Sequence, residues 1–246
     1  MTNVTSLLRY PLKSHGREAL DAVTLTPGCA MPFDRQWAVA HDASSADGSE
    51  WVPCVNFSRG SKAPMLMAIN CQLDEQKGTL TLSHPNRPDL TFDPDSDVDA
   101  FLEWVAPLVP QDRALPSRIV KLPGRGFTDS DFPSVTLCNL ASHRAVEEQG
   151  GQALSKHRWR GNIWFDTGSP WDEFNWMDQD IQIGTSVLRV RERTDRCLAT
   201  TANPATGSRD IDTLALLEHW GHQDFSVRAE VISGGDIRLG DSVVPL

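Results

Sequence analysis

The sequence lacks the segments that insert a chain into a membrane. No apolar run approaches the roughly 18 residues that a transmembrane helix needs. The opening stretch MTNVTSLLRYPLKS has no basic segment followed by a long apolar one, so no secretory signal peptide is expected. These absences predict a protein of the cytoplasm that has no membrane partner.

Cysteine is scarce and widely spread. The chain has five cysteines, at positions 29, 54, 71, 138 and 197, and no CxxC or CxxH pair. This spacing argues against a zinc knuckle or a disulfide framework and predicts that most of these thiols are buried. The seven histidines form no ligand pattern, and no glycine-rich phosphate loop follows a predicted strand.

A net positive charge is also missing. The formal net charge is −10, which repels nucleic acid and anionic membranes. The sequence therefore predicts no nucleic-acid partner, although a local basic pocket remains compatible with a small anionic ligand.

Alternating apolar and polar residues indicate a mainly β, α+β fold. The stretches AVTLTPG, RQWAVAHD, MLMAINCQLD and GTLTLSHP predict strands of an antiparallel sheet or small barrel. A short helix is expected at 97–105, and the Pro-, Gly- and Arg-rich segment 107–133 predicts a linker or mobile loop. GNIWFD, IQIGTSVLRVRER and FSVRAEVIS predict strands of a second β-rich unit. One helix is expected in SHRAVEEQGGQAL, capped by Ser142 and broken at Gly150-Gly151, and another in DIDTLALLEHWG, which ends at Gly221.

Cys197 is the first candidate for chemistry. It follows a predicted strand that carries several arginines, and nearby cations favour the thiolate that attacks electrophiles and binds soft metals. Alternation predicts that Arg193, Asp195 and Cys197 share one face and that Arg196 points to the other. Position alone favours a small buried side chain, so nucleophile, metal ligand and buried spacer all remain open.

Two further sets of residues are suited to bind an anion. Lys13, Ser14 and Arg35 offer a point charge, a hydroxyl and a guanidinium fork, the set that holds a phosphate. Arg160 precedes a Gly-Asn step, and Asn162 can read an amide or carbonyl edge. The alternatives are a solvated surface lysine, a surface ion pair and an ordinary turn.

The order of these elements carries a family resemblance. YPLKS, FDRQWAV, WRGNIWFD, DRCLATTANPATGSRD and GGDIRLGDSV follow one another along nearly the whole chain. Together they resemble the MOSC family, named after the C-terminal domain of molybdenum-cofactor sulfurases. The branch with an N-terminal β-barrel domain, which includes YcbX-type proteins and the mitochondrial amidoxime-reducing component, is the most similar. The resemblance implies an N-terminal barrel at 1–106 and a MOSC domain with a few peripheral helices at 134–246.

The resemblance also implies a molybdenum cofactor, the Mo-molybdopterin group. Cys197 matches the cysteine that ligates molybdenum in the reductase branch and is therefore the implied catalytic and metal-binding residue. The implied cofactor-binding residues are Lys13, Ser14, Arg35, Ser142, Arg160, Asn162, Thr200 and Thr201. The cofactor is expected in a cleft between the two β-rich parts, where Thr200 and Thr201 line the loop behind the metal.

Two departures from the family pattern affect the expected function. Ser226 and Arg228 stand where reductase-branch relatives often have glycine and tyrosine. No cysteine follows Cys197, so electrons are expected from a separate ferredoxin, flavoprotein or cytochrome b5-like protein. The implied activity is reduction of N-hydroxylated small molecules. The alternatives are a sulfur or cofactor carrier with a persulfide on Cys197, and a MOSC protein that has lost its cofactor.

Overall fold

A computed structural model describes residues 2–246, and this part of the chain contains fifteen strands and three α-helices. The strands are β1 (Val4–Arg9), β2 (Glu18–Leu20), β3 (Ala22–Leu25), β4 (Trp37–His41), β5 (Asn70–Asp74), β6 (Thr79–His84), β7 (Arg87–Phe92), β8 (Pro116–Lys121), β9 (Val135–Asn139), β10 (Ile163–Phe165), β11 (Asp180–Ile183), β12 (Ser186–Asp195), β13 (Asp224–Ser233), β14 (Gly235–Arg238) and β15 (Val243–Pro245). The helices are α1 (Val98–Val105), α2 (Leu140–Gly150) and α3 (Thr213–Leu217). The predicted mainly β fold with a few peripheral helices is confirmed.

The largest sheet joins both ends of the chain. Its strand order is β15-β11-β12-β13-β9-β10-β1-β2, with β9 and β10 parallel and the other neighbours antiparallel. Leu7, Ile163, Leu137 and Val227 pair in register across four of these strands, and each is at most 1% exposed. This apolar row fixes the register, because a slip of one residue would turn these side chains to the other face.

Three smaller sheets complete the fold. Strand β3 pairs with β14, β4 pairs with β8, and β5, β6 and β7 form an antiparallel meander. The meander packs with α1 around a second apolar core that includes Phe92, Phe101 and Trp104. Helix α1 spans Val98–Val105, one residue shorter than the predicted helix at 97–105, and Asp97 is the residue before it.

Two expectations about local structure need correction, and the largest sheet has a feature that bears on the predicted domains. Within the predicted linker 107–133, residues Pro116–Lys121 form β8, which pairs along β4 and therefore belongs to the first β-rich unit. Strands β1 and β2 lie in the same sheet as the C-terminal strands, so the largest sheet takes strands from both predicted domains, 1–106 and 134–246, whose bounds stay a prediction. Helix α2 begins at Leu140 and is capped by the side chain of Asn139, not by Ser142, which lies inside the helix.

No helix within residues 2–246 is long and apolar enough to cross a membrane.

Candidate functional site

A cavity of about 260 Å³ is lined by residues from both halves of the chain. Its acidic lining residues are Asp129 and Asp195. Its basic lining residues are Lys13, Arg35, Arg59, Arg158, Arg160, Arg196 and Arg228. Seven cations around one cavity, in a chain of net charge −10, give this region a local positive charge that would complement an anionic ligand.

Lys13 and Ser14 reach the cavity from the turn that follows β1. Lys13 is 3% exposed, and its Nζ donates to the carbonyl of Phe127 at 2.6 Å and to the carboxylate of Asp129 at 2.5 Å. Burial lowers the pKa of Lys13, and the charge of Asp129 partly offsets this effect. The ammonium group is thus held in place by the protein while it still lines the cavity.

Arg35 is positioned by its neighbour in sequence. The carboxylate of Asp34 accepts from the guanidinium of Arg35 and, at 2.9 Å, from the backbone N–H of Tyr10. Arg35 Nη2 also donates to the carbonyl of Arg160 at 2.9 Å. Burial lowers the pKa of Arg35, but the charges of Asp34, Asp129 and Tyr10 together outweigh burial, so the net pKa is raised and Arg35 stays a cation.

Three of the predicted cofactor-binding residues have left-handed backbone conformations. The φ angles are 65° at Ser14, 52° at Arg35 and 51° at Arg160, and all three residues line the cavity. A non-glycine residue in this region is uncommon and costs of order 1 kcal/mol or more, and such residues cluster at ligand sites. The backbone therefore turns these side chains towards the cavity at a cost in stability.

Arg160 is a cation without a carboxylate partner in the described structure. Its guanidinium lies 4.4 Å from the ring centre of Tyr10, whose ring is also 4.8 Å from the guanidinium of Arg35. Burial and the nearby Arg35 lower the pKa of Arg160 to about 10. A bound anion would relieve this cost, because it would supply the missing opposite charge.

The Arg160-Gly161-Asn162 segment is held tightly behind the cavity wall. A Cβ atom at Gly161 would lie 2.1 Å from the Sγ of Cys138, so only glycine fits there. Asn162 is fully buried; its Oδ1 accepts from the N–H of Thr136 and its Nδ2 donates to the carbonyl of Leu8. Asn162 therefore ties β1, β9 and β10 together and, contrary to its expected role as a cofactor contact, is not among the lining residues.

Cys197 lies at the cavity directly after β12 and is the exposed member of the five cysteines. Cys71 and Cys138 are buried, and burial raises the pKa of both thiols, that of Cys138 to about 12. The predicted alternation fails here. Register shifts disturb the end of β12, and Arg196 and Cys197 both line the cavity.

Arg196 is anchored by the strand that carries the family departures. Its Nη2 donates to the hydroxyl of Ser226 at 2.6 Å, its Nε donates to the carbonyl of Phe225 at 3.0 Å, and its Nη1 donates to the carbonyl of Trp159 at 2.8 Å. Ser226 has φ of 73°, which explains why a glycine suits this position. Burial lowers the pKa of Arg196 to about 10.

The two threonines after Cys197 hold the turn that presents it. Thr200 Oγ1 donates to the carbonyl of Cys197 at 3.1 Å and is 2.6 Å from Thr213 Oγ1. Thr201 Oγ1 donates to the carbonyl of Leu198 at 2.8 Å. Thr200 lines the cavity, whereas Thr201 does not and stays within the loop.

Ser142 does not approach this cavity. Its hydroxyl donates to the carboxylate of Glu173 at 2.8 Å and accepts from the N–H of Trp171 at 2.8 Å. The side chain is completely buried, and its hydroxyl serves buried groups of the protein.

Several lining residues had no motif to indicate them. Arg59 comes from the loop after β4, and its Nη1 donates to the Sγ of Cys54 at 3.3 Å. Asp129 comes from the segment expected to be a linker. Arg228, which the sequence indicated only as a departure from the family pattern, lies on β13, pairs with Glu192 at 2.6 Å and is 3.5 Å from Asp195. The acidic pattern TDSD beside glycine and proline offered a sequence hint for Asp129.

The described residues offer a metal few ligands of their own. Across residues 2–246, no group of three or more His, Cys, Asp or Glu side chains could hold a metal ion. The thiols that line the cavity are Cys54, which accepts from Arg59, and the more exposed Cys197, so a metal there would need its other ligands from a bound cofactor.

Comparison with family models shows to which protein family the chain belongs. The family model described as "MOSC N-terminal beta barrel domain" matches residues 1–104, and the one described as "MOSC domain" matches residues 126–244. The chain belongs to the MOSC family. The motif residues around the cavity of this MOSC protein thus lie within its family's own domains. A search of the curated proteins found no match.

Two solved structures are distantly similar to this MOSC protein. YiiM from Geobacillus stearothermophilus is 13% identical, with a TM-score of 0.35, over 46% of this chain and 53% of that one. The chain thus spans about half the length of YiiM. The YuaD protein from Bacillus subtilis is 10% identical, with a TM-score of 0.46, over 99% of this chain and 94% of that one.

Proposed function

We propose that this MOSC protein binds a molybdenum–pterin cofactor in the basic cavity, with Cys197 as the protein ligand of the metal. The observation that carries the proposal is the meeting of an exposed thiol with seven cations in one cavity. A sulfur carrier needs only the cysteine, whereas a phosphorylated cofactor needs the cations as well.

The donor set fits such a cofactor. Arg160 and Arg196 are cations whose pKa is lowered by burial and which have no carboxylate partner in residues 2–246. Lys13 and Arg35 are already fixed by protein contacts. A phosphate group suits these four side chains because it offers several charged acceptors to a fixed set of donors.

Each residue has a distinct task in this proposal. Lys13, Ser14, Arg35 and Arg160 bind the phosphate end, and their backbone conformations keep them preorganised. Cys197 supplies a thiolate, and the Thr200 hydroxyl keeps the backbone of Cys197 in place. Arg196, tied to Phe225 and Ser226, keeps a positive charge beside the thiolate.

The bound cofactor would supply two-electron redox chemistry that removes oxygen from an N-hydroxylated substrate. The described residues contain no cysteine cluster for an iron–sulfur centre, so a separate redox protein would supply the electrons. The ferredoxins, the flavoproteins and the cytochrome b5-like proteins are the classes of donor to test. The substrate class is a small molecule such as an amidoxime or hydroxylamine.

A sulfur carrier is the second candidate, because the exposed Cys197 thiol is suited to hold a persulfide. One experiment separates the two. The protein is purified from a host that makes molybdopterin and assayed for benzamidoxime reduction with a chemical reductant, and labile sulfur is measured by cyanolysis. The reductase proposal predicts turnover that Cys197→Ser abolishes and Cys29→Ser keeps. Labile sulfur on Cys197 without turnover would favour the carrier.

A further inference from the structure

A second cavity, of about 170 Å³, lies beside the first. Its apolar lining residues are Val55, Phe57, Ala63, Val109 and Ala114. An apolar cavity of about 150 Å³ can hold a benzene ring, so this one is large enough for a six-membered ring. Val55 is 58% exposed, which leaves an apolar surface open to a ligand.

The charges around this cavity all have one sign. Arg59, Lys62 and Arg113 line it, and no acidic residue does. None of these three cations forms an ion pair within residues 2–246. Three unpaired cations around an apolar pocket are unexpected on a chain of net charge −10, and they complement an anionic group.

A buried hydroxyl adds a polar feature. Ser58 lines the cavity and is 8% exposed, and its Oγ has no hydrogen-bond partner among the described residues. This Oγ is itself out of reach of solvent, so its missing partner is a cost within the protein, and the proposed ligand does not depend on it.

Arg59 lines both this cavity and the basic cavity, so the two are neighbours. From the apolar floor and the unpaired cations, we propose that the second cavity binds a ring-sized apolar carboxylate. The apolar body lies against Val109 and Phe57, and the carboxylate faces Arg59 and Arg113. This site does not depend on the proposed cofactor.

Benzoate is the probe, with benzyl alcohol as the uncharged ligand of similar shape. Binding is measured by isothermal titration calorimetry at fixed ionic strength. We expect benzoate to bind at least about tenfold more tightly than benzyl alcohol, since the charge adds to the apolar contact. Arg113→Gln should weaken benzoate binding at least about threefold, and Arg238→Gln, which removes an exposed charge elsewhere, should leave it unchanged.

A second variant distinguishes the two cavities if benzoate also enters the basic cavity. Ala114 is exposed, so Ala114→Trp fills the second cavity without disturbing a core and should abolish binding there. Lys13→Gln alters only the basic cavity, because Lys13 does not line the second one. The proposal is overturned if Lys13→Gln weakens benzoate binding while Ala114→Trp does not, or if the two ligands bind equally.

Discussion

Lys13 Nζ and the carboxylate of Asp129 lie 2.5 Å apart, and both residues line the basic cavity. Asp129 also lies in the field of Arg35 and Arg228. The Asp129 side chain is 49% exposed at the mouth of the cavity. Partial desolvation there raises its pKa, but Lys13, Arg35 and Arg228 together lower it to about 2. A carboxylate that stays ionised among the cavity cations occupies the electrostatic place of an anionic ligand and competes with it.

Asp129→Asn should therefore strengthen the binding of a small anion. We expect phosphate affinity to rise about fivefold, because the competing charge is removed. Calorimetric titration measures this at pH 7. Asp131→Asn is the matched control, since it removes the same charge from an exposed residue of the same loop. Weaker phosphate binding in Asp129→Asn would show instead that Asp129 only positions Lys13.

Arg160→Gln should separate stability from ligand binding. The variant removes a cation without a carboxylate partner that is repelled by Arg35, so we expect the free energy of unfolding without ligand to rise by about 1 kcal/mol. Phosphate should then no longer raise the melting temperature. Differential scanning fluorimetry with and without phosphate measures both effects. Arg144→Gln, at an exposed ion pair, should change neither.

Ser226 tests the left-handed backbone behind Arg196. Ser226→Ala loses the hydroxyl that Arg196 contacts and keeps the unfavourable φ, so it should cost about 2 kcal/mol of unfolding free energy. Ser226→Gly loses the same hydroxyl but relieves the backbone, so it should cost about 1 kcal/mol less. Urea denaturation compares the two variants. Equal losses would mean that the backbone conformation carries no cost.

Glu173 should make stability depend on pH. Burial raises its pKa to about 7 from 4.5, although Asn139 and Ser142 lower it through hydrogen bonds. The folded protein keeps the proton that the unfolded chain releases. The contribution of this proton to the free energy of unfolding is therefore fully present below pH 4.5 and is lost as the pH rises to about 7.

The free energy of unfolding is expected to fall by roughly 3 kcal/mol as Glu173 loses its proton between pH 4.5 and about pH 7. Urea denaturation between pH 4 and pH 8 should show it as the difference between the wild type and Glu173→Gln. Glu148→Gln, at an exposed position of α2, is the control and should keep the wild-type dependence. A wild-type curve parallel to that of Glu173→Gln would contradict the assignment.

The mainly β fold could be predicted because alternation is a local property of the sequence. The partners of the strands could not. Leu7 pairs with Ile163 across most of the chain, and no local pattern indicates that contact. Strand β8 was missed because prolines and glycines near residues 107–133 concealed a short strand that depends on β4 for its pairing.

The residues of the candidate site also fall into those that the sequence could predict and those that it could not. Lys13, Ser14, Arg35, Arg160, Cys197 and Thr200 all line the cavity and were indicated by short motifs. Ser142 and Asn162 were expected there too, but buried partners occupy their side chains. Arg59 and Asp129 lie in loops whose positions depend on tertiary closure, so residue type alone could not place them.

The most direct test of the central claim is the molybdenum and pterin content of the protein made in a host that produces molybdopterin. Mass spectrometry of the metal and fluorescence of the oxidised pterin measure the two. We predict near-stoichiometric molybdenum and pterin in the wild type, loss of molybdenum in Cys197→Ser, and retention in Cys54→Ser, whose thiol lines the same cavity. Full molybdenum content in Cys197→Ser, or none in the wild type, would contradict the account.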